Sequence, residues 1–409
     1  MGMHPPDRSP LPDPQWRVSL ISGATVVLSL MPVDMLYGVT VMAAFGAVAS
    51  PLAVWSAFLP VVLGNLFLAR AAPRSALFGG LRPAQTVMVT ALMVAVTQDP
   101  LLSAGGLPMA LAGLVLAVSS AGLLQWLTGV FKLGRVIKFI PLPVLVGITN
   151  GSALALTWMA LKDVLGVPTL NGLWALVSLG DAGAAVRLAL LASLLGLMFS
   201  AHQRGWRLHW SLVGLLVGTL VYQIAPLLVP GLVPYAPVIG GTLPAAPEVD
   251  MRPQGLLGLA NLSSAPAWSA LLTLALPVGL ALAAINTIDT LISLAYLETL
   301  NGQRVEPNRV LRGLGIANLI GGLFGGLPTT PSNARMLIGD QAGARNWRSP
   351  LAGAVTAMAL IALLPMVVHF IPKLAASAVM IYLAWTLIDP WSRRGVRDRK
   401  STRLNSSHQ

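Results

Sequence analysis

The sequence predicts an all-α membrane protein made of two related halves of opposite topology. Three observations predict it. Apolar runs of membrane length follow one another through the chain, Lys and Arg gather in alternate gaps between them, and motifs of the first half return in order in the second. Of 409 residues, 55% are hydrophobic and 10% charged, against roughly a quarter charged in a soluble domain. The mean hydropathy is +0.75, more apolar surface than a water-soluble globule of this size hides. A cytosolic enzyme is thereby disfavoured. The net charge of +12 sits in small clusters rather than in a basic stripe with interleaved aromatics. The expected partner is therefore the lipid bilayer and not nucleic acid. Cysteine is absent, so disulfides, thiolate chemistry and Cys-ligated metals are excluded.

A membrane helix needs about 20 mostly apolar residues. Spans are expected near 18–38, 50–69, 84–97, 104–130, 141–161, 185–202, 210–229, 269–297, 309–324, 328–338, 350–370 and 372–389. Several are apolar all round, as helices buried in lipid or in a bundle are. The first run is as long as a full span and lacks a small-residue cleavage site, so it is not read as a removable signal peptide. The organisation expected is a cytoplasmic tail (1–15), a first repeat (16–230), an external Pro-rich linker (231–267), an incomplete second repeat (268–390) and a polar, basic tail (391–409).

With the N-terminus in the cytoplasm and the spans alternating, only Lys162, Arg187, Arg252 and Lys373 fall outside. Arg82 and Arg335 are left at membrane depth, and every other Lys and Arg falls inside, the bias that sets topology in a cell membrane. Trp16, Trp210, Trp268 and Trp391 lie near span ends, where Trp anchors at interfaces, although it also packs in cores.

The repeat shows as "SLMPVDML" around Pro32 against "LALPVGLA" around Pro277, and as "FGGL" at 78–81 against "FGGL" at 324–327. "FIPLPVLVGI" from Phe139 similarly answers "FIPKLAASAVMI" from Phe370. An odd number of spans, about seven, precedes the linker, which inverts the second half. Each FGGL leads through Pro into a short polar run, "RPAQTVMVT" and "PTTPSNARML". Gly and Pro also kink ordinary packed helices. Their paired placement favours two broken helices meeting near the midplane.

A half-helix starting inside the membrane exposes unpaired N–H groups and the positive end of its dipole. Two such ends form an electropositive niche for an anion. Thr86 at the first, and Ser332 and Asn333 at the second, add polar side chains, and Arg335 adds a full positive charge. An intramembrane Arg is by default a functional residue, and its structural alternative is an ion pair with Asp289 or Asp34. Asp289 lies in "NTIDTLIS", with Ser293 on the same helix face. With unwound carbonyls near Pro331–Asn333 these make an oxygen-lined sodium site; alternatively Asp289 carries a proton or neutralises Arg335. The sequence leaves these open. Asp34 is a second candidate proton carrier. No phosphate loop, paired-His site or nucleophile–base set is present. Gly321/Gly325 and Gly322/Gly326 have the spacing of close helix packing.

These stretches resemble the SulP (sulfate permease) family of anion transporters over about Trp16 to Asp389. The resemblance rests on "LGRVIKFIPLPVLVGITNG" (133–151), "INTIDTLISLAYLETLNGQR" (285–304), "GIANLIGGLFGGLPTTPSNAR" (315–335) and "GARNWRS" (343–349). It implies a seven-plus-seven inverted-repeat fold with core and gate domains, of which about 12 of 14 spans are present, and elevator-like alternating access. It also implies an anion held between the third and tenth spans by Thr86, Ser332, Asn333 and Arg335. "IDTLIS" is most similar to the bicarbonate branch, which implies sodium held by Asp289, Ser293, Pro331, Ser332 and Asn333.

Pro331, Ala334 and Val310 depart from the family pattern. The second half stops one span after its "FIP", and the final "RKSTRLNSSHQ" reads as a cloning or assembly scar. The function expected is a secondary transporter of bicarbonate or sulfate coupled to sodium or protons, needing no cofactor beyond a sodium ion. An anion channel, a nucleobase-type permease and an inactive truncated fragment are the alternatives. Assembly as a homodimer stays open.

Overall fold

The computed structural model describes residues 16–42, 45, 50–134, 142–166, 182–204, 210–228, 254–260, 262, 264–367 and 371–388. The expected tails 1–15 and 391–409 and most of the linker lie outside these residues, as do Trp391 and Arg252. The first half runs α1 (Trp16–Met42), α2 (Ser50–Ala71), β1 (Gly79–Gly80), α3 (Pro83–Gln98), α4 (Gly106–Val130), α5 (Leu142–Leu165), α6 (Ala182–Gln203) and α7 (Trp210–Leu228). The second runs α8 (Gln254–Ala260), α9 (Ala265–Asn301), α10 (Pro307–Leu323), β2 (Thr330–Pro331), α11 (Asn333–Gln341), α12 (Arg348–Val367) and α13 (Lys373–Leu387). Among the described residues, six helices are long and apolar enough to cross a membrane.

Local chemistry explains where the second-half helices start and stop. Ser264 caps α9, its side chain accepting from the Ala267 N–H, and Gly302 ends that helix at φ 73°, a left-handed turn that glycine adopts freely. Glu306 caps α10 by accepting from the Asn308 and Arg309 N–H groups, and Pro307 follows at the first helical position. Beyond α10, Gly325 takes φ 76°, its N–H donates to Gly322 O, and the Gly326 N–H donates to Gly321 O. This is a Schellman cap.

That cap corrects two expectations. Gly325 and Gly326 form a turn and not a helix seam. The two FGGL motifs also do different work: the first enters β1, the second closes α10. The structural register is carried by the strands instead, where Gly79 pairs with Pro331 and Gly80 with Thr330 in antiparallel fashion.

The helices form two bundles. In one, α1–α4 interlock with α9–α12; in the other, α13 packs against α5, α6 and α7. Each bundle mixes the two sequence halves, as an inverted repeat requires. The seam between α4 and α10 is made by glycine. A Cβ on Gly122 would overlap the backbone of Leu319, one on Gly315 that of Trp126, and one on Gly322 would lie 2.7 Å from Ser119 N. Without a hydrophobic drive between helices in lipid, such close backbone approach supplies the dispersion energy that joins them.

Within the expected linker, α8 lies on α4, with Gly258 against the Pro108 carbonyl and Gly255 against Val115. One further expectation is corrected. Trp210 is buried and stacks on Tyr382 with ring centroids 4.2 Å apart, so it is a core residue and not an interfacial anchor.

Candidate functional site

The two interrupted segments meet. β1 and β2 pair where the chain would otherwise be helical, and α3 and α11 begin immediately after them. The expected tenth span is thus a two-residue strand followed by a nine-residue helix. Pairing in extended form satisfies backbone groups that lipid cannot. The Ser332 N–H also donates to Phe78 O at 2.9 Å.

Matching asparagines secure each strand. Asn65 on α2 accepts from the Gly79 N–H at 2.9 Å. Asn318 on α10 holds Thr329 at both ends, accepting from its N–H at 2.7 Å and donating to its carbonyl at 3.0 Å. Asn318 Nδ2 also donates to Gln125 Oε1 at 2.8 Å.

Neither half-helix is capped by its own N-cap side chain: Arg82 precedes α3, Ser332 precedes α11, and neither makes a capping bond. The positive ends of both helices therefore face the space in front of the strands. A cavity of about 30 Å³ opens there, between the two bundles. Asp34, Tyr37, Arg82, Ser332 and Arg335 give it a polar wall, and Leu156 of α5 and Leu383 of α13 close it with an apolar one.

Arg335 is 1% exposed and Asp34 likewise 1%. Arg335 Nη2 donates to Asp34 Oδ1 at 2.6 Å and also reaches Oδ2, while Nη1 has no protein partner. The guanidinium lies on Gly80, where a Cβ would overlap it. Of the two ion-pair partners left open by the sequence, Asp289 and Asp34, Asp34 is the one that Arg335 meets. Ser332 lines the same cavity. Asn333 is buried beside it, its Oδ1 without a protein partner. Thr86 stands one turn inside α3, its hydroxyl donating to Arg82 O at 2.9 Å.

The other polar cluster surrounds Asp289 on α9. Ser293, four residues on, donates its hydroxyl to Pro331 O at 3.0 Å, so these two oxygens and the start of α11 do come together. Asp289 Oδ2, however, accepts from Gln85 Nε2 at 2.9 Å and lies 3.5 Å from Arg82 Nε. Arg82 and Asp289 are 7% and 4% exposed. The carboxylate that a sodium ion needs is thus already faced by a buried guanidinium, and the residues as arranged do not fit a resident sodium.

Sequence reasoning placed Arg82 at membrane depth without giving it a role, and missed Gln85, Tyr37, Asn65 and Asn318. A signal was available: Asn65 to Asn318 and Arg82 to Arg335 share the spacing of 253 residues, which a comparison anchored on FGGL passes over. The result is a crossed arrangement. The Arg of each half-helix pairs with an Asp from the long helix of the other half.

Residues 17–394 match the model of the sulfate permease family. The Bacillus subtilis protein YbaR is 26% identical over 331 residues, covering 78% of this chain and 59% of its own length. The chloroplastic sulfate transporter 4.1 of Arabidopsis thaliana is 25% identical over 389 residues, covering 91% of this chain and 52% of that one. The chain thus spans a little over half the length of these relatives. Among solved structures, the transmembrane domain of the cyanobacterial bicarbonate transporter BicA superposes with a TM-score of 0.66 at 21% identity, covering 93% of this chain and 91% of that one. SLC26A9 superposes with a TM-score of 0.64 at 15% identity, covering 93% of this chain and 60% of that one. At those identities the superpositions establish the inverted-repeat fold alone. With the family match running through both bundles and both half-helices, this multi-pass membrane chain belongs to the sulfate permease family.

Proposed function

We propose that the protein is a secondary transporter that carries a small inorganic anion, bicarbonate or sulfate, through elevator-like alternating access. The observation that carries the reading is Arg335, buried at the mouth of two opposed half-helices and held there by Asp34. An unpaired guanidinium in this place would be costly, so a group that must bind an anion is stored on an internal carboxylate.

The same geometry favours a proton as the coupling ion. Among the described residues, Arg335, Arg82 and Asp34 line the cavity and Asp289 stands behind Arg82, four charges that cancel, and Tyr37 is a further ionisable group in the wall. Protonation of Asp34 frees Arg335 and leaves one net positive charge, which a monovalent anion neutralises. The cavity of about 30 Å³ lies directly on the Asp34–Arg335 pair, and in this reading the anion takes the place of the Asp34 carboxylate on Arg335 as the pair parts. The apolar wall from Leu156 and Leu383 suits a surface along which the polar bundle slides, exposing the site to one side and then the other. The Lys and Arg bias supports a cytoplasmic N-terminus in a bacterial inner membrane.

Radiolabelled bicarbonate and sulfate uptake into proteoliposomes, across a pH series with and without sodium, tests the reading. Saturable uptake that rises as external pH falls supports it. Uptake of neither anion under any gradient rejects it.

A further inference from the structure

Arg82 lines the cavity, yet its charge is already met by a carboxylate behind the wall. It is an N-cap residue of the wrong sign, since a cation at a helix N-terminus opposes the dipole, and it is withdrawn from water with only 7% exposed. Its charge is answered from one direction: Asp289 Oδ2, 3.5 Å from Nε. That Nε–H makes no hydrogen bond, so the contact is one of charge balance and not of a tight directional pair. Gln85, one turn along the same helix, donates to the same oxygen at 2.9 Å. Asp289 therefore meets a cation and a neutral donor, both from α3, while Ser293 and Pro331 O close the far side by bonding to each other.

We infer that the Arg82 guanidinium is a tethered cation that balances the Asp289 carboxylate at the α3–α9–β2 junction, in the role a bound monovalent metal ion would otherwise fill, so that this chain moves its anion without sodium. The inference rests on the anion-transporter reading and assigns its cation. A covalently attached charge is present in every step of the cycle and cannot dissipate a sodium gradient. Coupling then falls to the other acid, Asp34. Removing the guanidinium leaves a buried, uncompensated carboxylate beside Ser293 and the Pro331 carbonyl, an oxygen-rich site with room for a small cation.

The test compares the wild type, Arg82→Lys, Arg82→Ala and Arg82→Ala/Asp289→Asn, each purified in detergent and reconstituted. Wild-type uptake and thermal midpoint should be the same in sodium and in choline, and Arg82→Lys should behave likewise. Arg82→Ala should lose more than tenfold of its uptake in choline. Millimolar sodium or guanidinium should return at least a third of it and raise the variant's thermal midpoint by several degrees. The double variant, its charges again balanced, should recover uptake in choline and ignore sodium.

Sodium stimulation of the wild type overturns the inference. So does an Arg82→Ala variant that neither ion nor the second substitution restores, which would place Arg82 on the anion itself. The thermal shift reads cation binding without transport. A shift confined to Arg82→Ala, in a protein that takes up no anion, would reject the transporter reading and leave the charge pairing standing.

Discussion

Arg335 and Asp34 stand 301 residues apart in the chain and share a bifurcated contact, Nη2 alone donating to both carboxylate oxygens at the meeting of the two half-helices. Replacing Asp34 with Asn removes the proton site and half of this contact while keeping the shape. Wild-type uptake should rise by up to about tenfold per unit fall in pH, the limit for one required proton; the sign follows because the protonated acid releases Arg335. Asp34→Asn should flatten that profile, and a variant that keeps the wild-type slope would clear Asp34 of the proton role.

Arg335→Ala removes the only full charge at the start of α11. Truncating one partner of a buried charged pair costs about 2–5 kcal/mol, so uptake should fall by at least about 25-fold, by the usual tenfold for each 1.4 kcal/mol. Asp34 is left buried and unpaired, but its protonation removes the penalty, and Arg335→Ala should therefore gain thermal stability as pH falls. Uptake within threefold of wild type would show that the anion does not use this side chain.

Gly80→Ala is a more selective probe of the same place. A methyl group there overlaps the Arg335 guanidinium, and insertions of this kind typically cost about 1–3 kcal/mol. Because the obstacle is a side chain and not backbone, the guanidinium turns aside instead of the fold breaking. Uptake should drop about tenfold while the thermal midpoint moves only a few degrees. Equal uptake at equal expression would show that the guanidinium's resting position does not matter.

Most of the fold was legible because bilayer thickness imposes a length on each apolar run, and caps such as Glu306–Pro307 mark where helices begin. The α8 helix escaped because seven residues are too few to show a period, and its packing depends on Gly255 and Gly258 meeting α4 backbone. The meeting of the two broken segments was legible from Gly and Pro placement. The pairing inside it was not: which Asp serves which Arg depends on how α1 and α9 cross the half-helices, a tertiary fact. FGGL misled for a related reason, since the same four residues suit both a strand entry and a Schellman cap.

Asn318 should be a stability hinge of the second half-helix. It holds the N–H and the carbonyl of Thr329 and also reaches Gln125. Asn318→Ala leaves these buried groups unpaired at about 1–3 kcal/mol each. A drop in thermal midpoint of several degrees together with a large loss of uptake is expected. Were the midpoint unchanged, β2 would have to be held by its pairing with β1 alone.

The sliding of one bundle on the other can be tested directly, because the native chain contains no cysteine and any introduced pair reacts against a clean background. Leu156 on α5 and Leu30 on α1 both line the cavity, from opposite bundles. Alternating access by relative movement of the bundles requires these residues to separate during each cycle. A Leu30→Cys/Leu156→Cys double variant treated with a short reducible bifunctional thiosulfonate should lose uptake to background, and a reductant should restore it. Each single variant, treated the same way, keeps most of its uptake, which separates tethering from simple blockage of the cavity by the reagent. Full cross-linking with transport intact would mean that the anion crosses through a fixed pathway, as in a channel, and that the apolar wall does not slide.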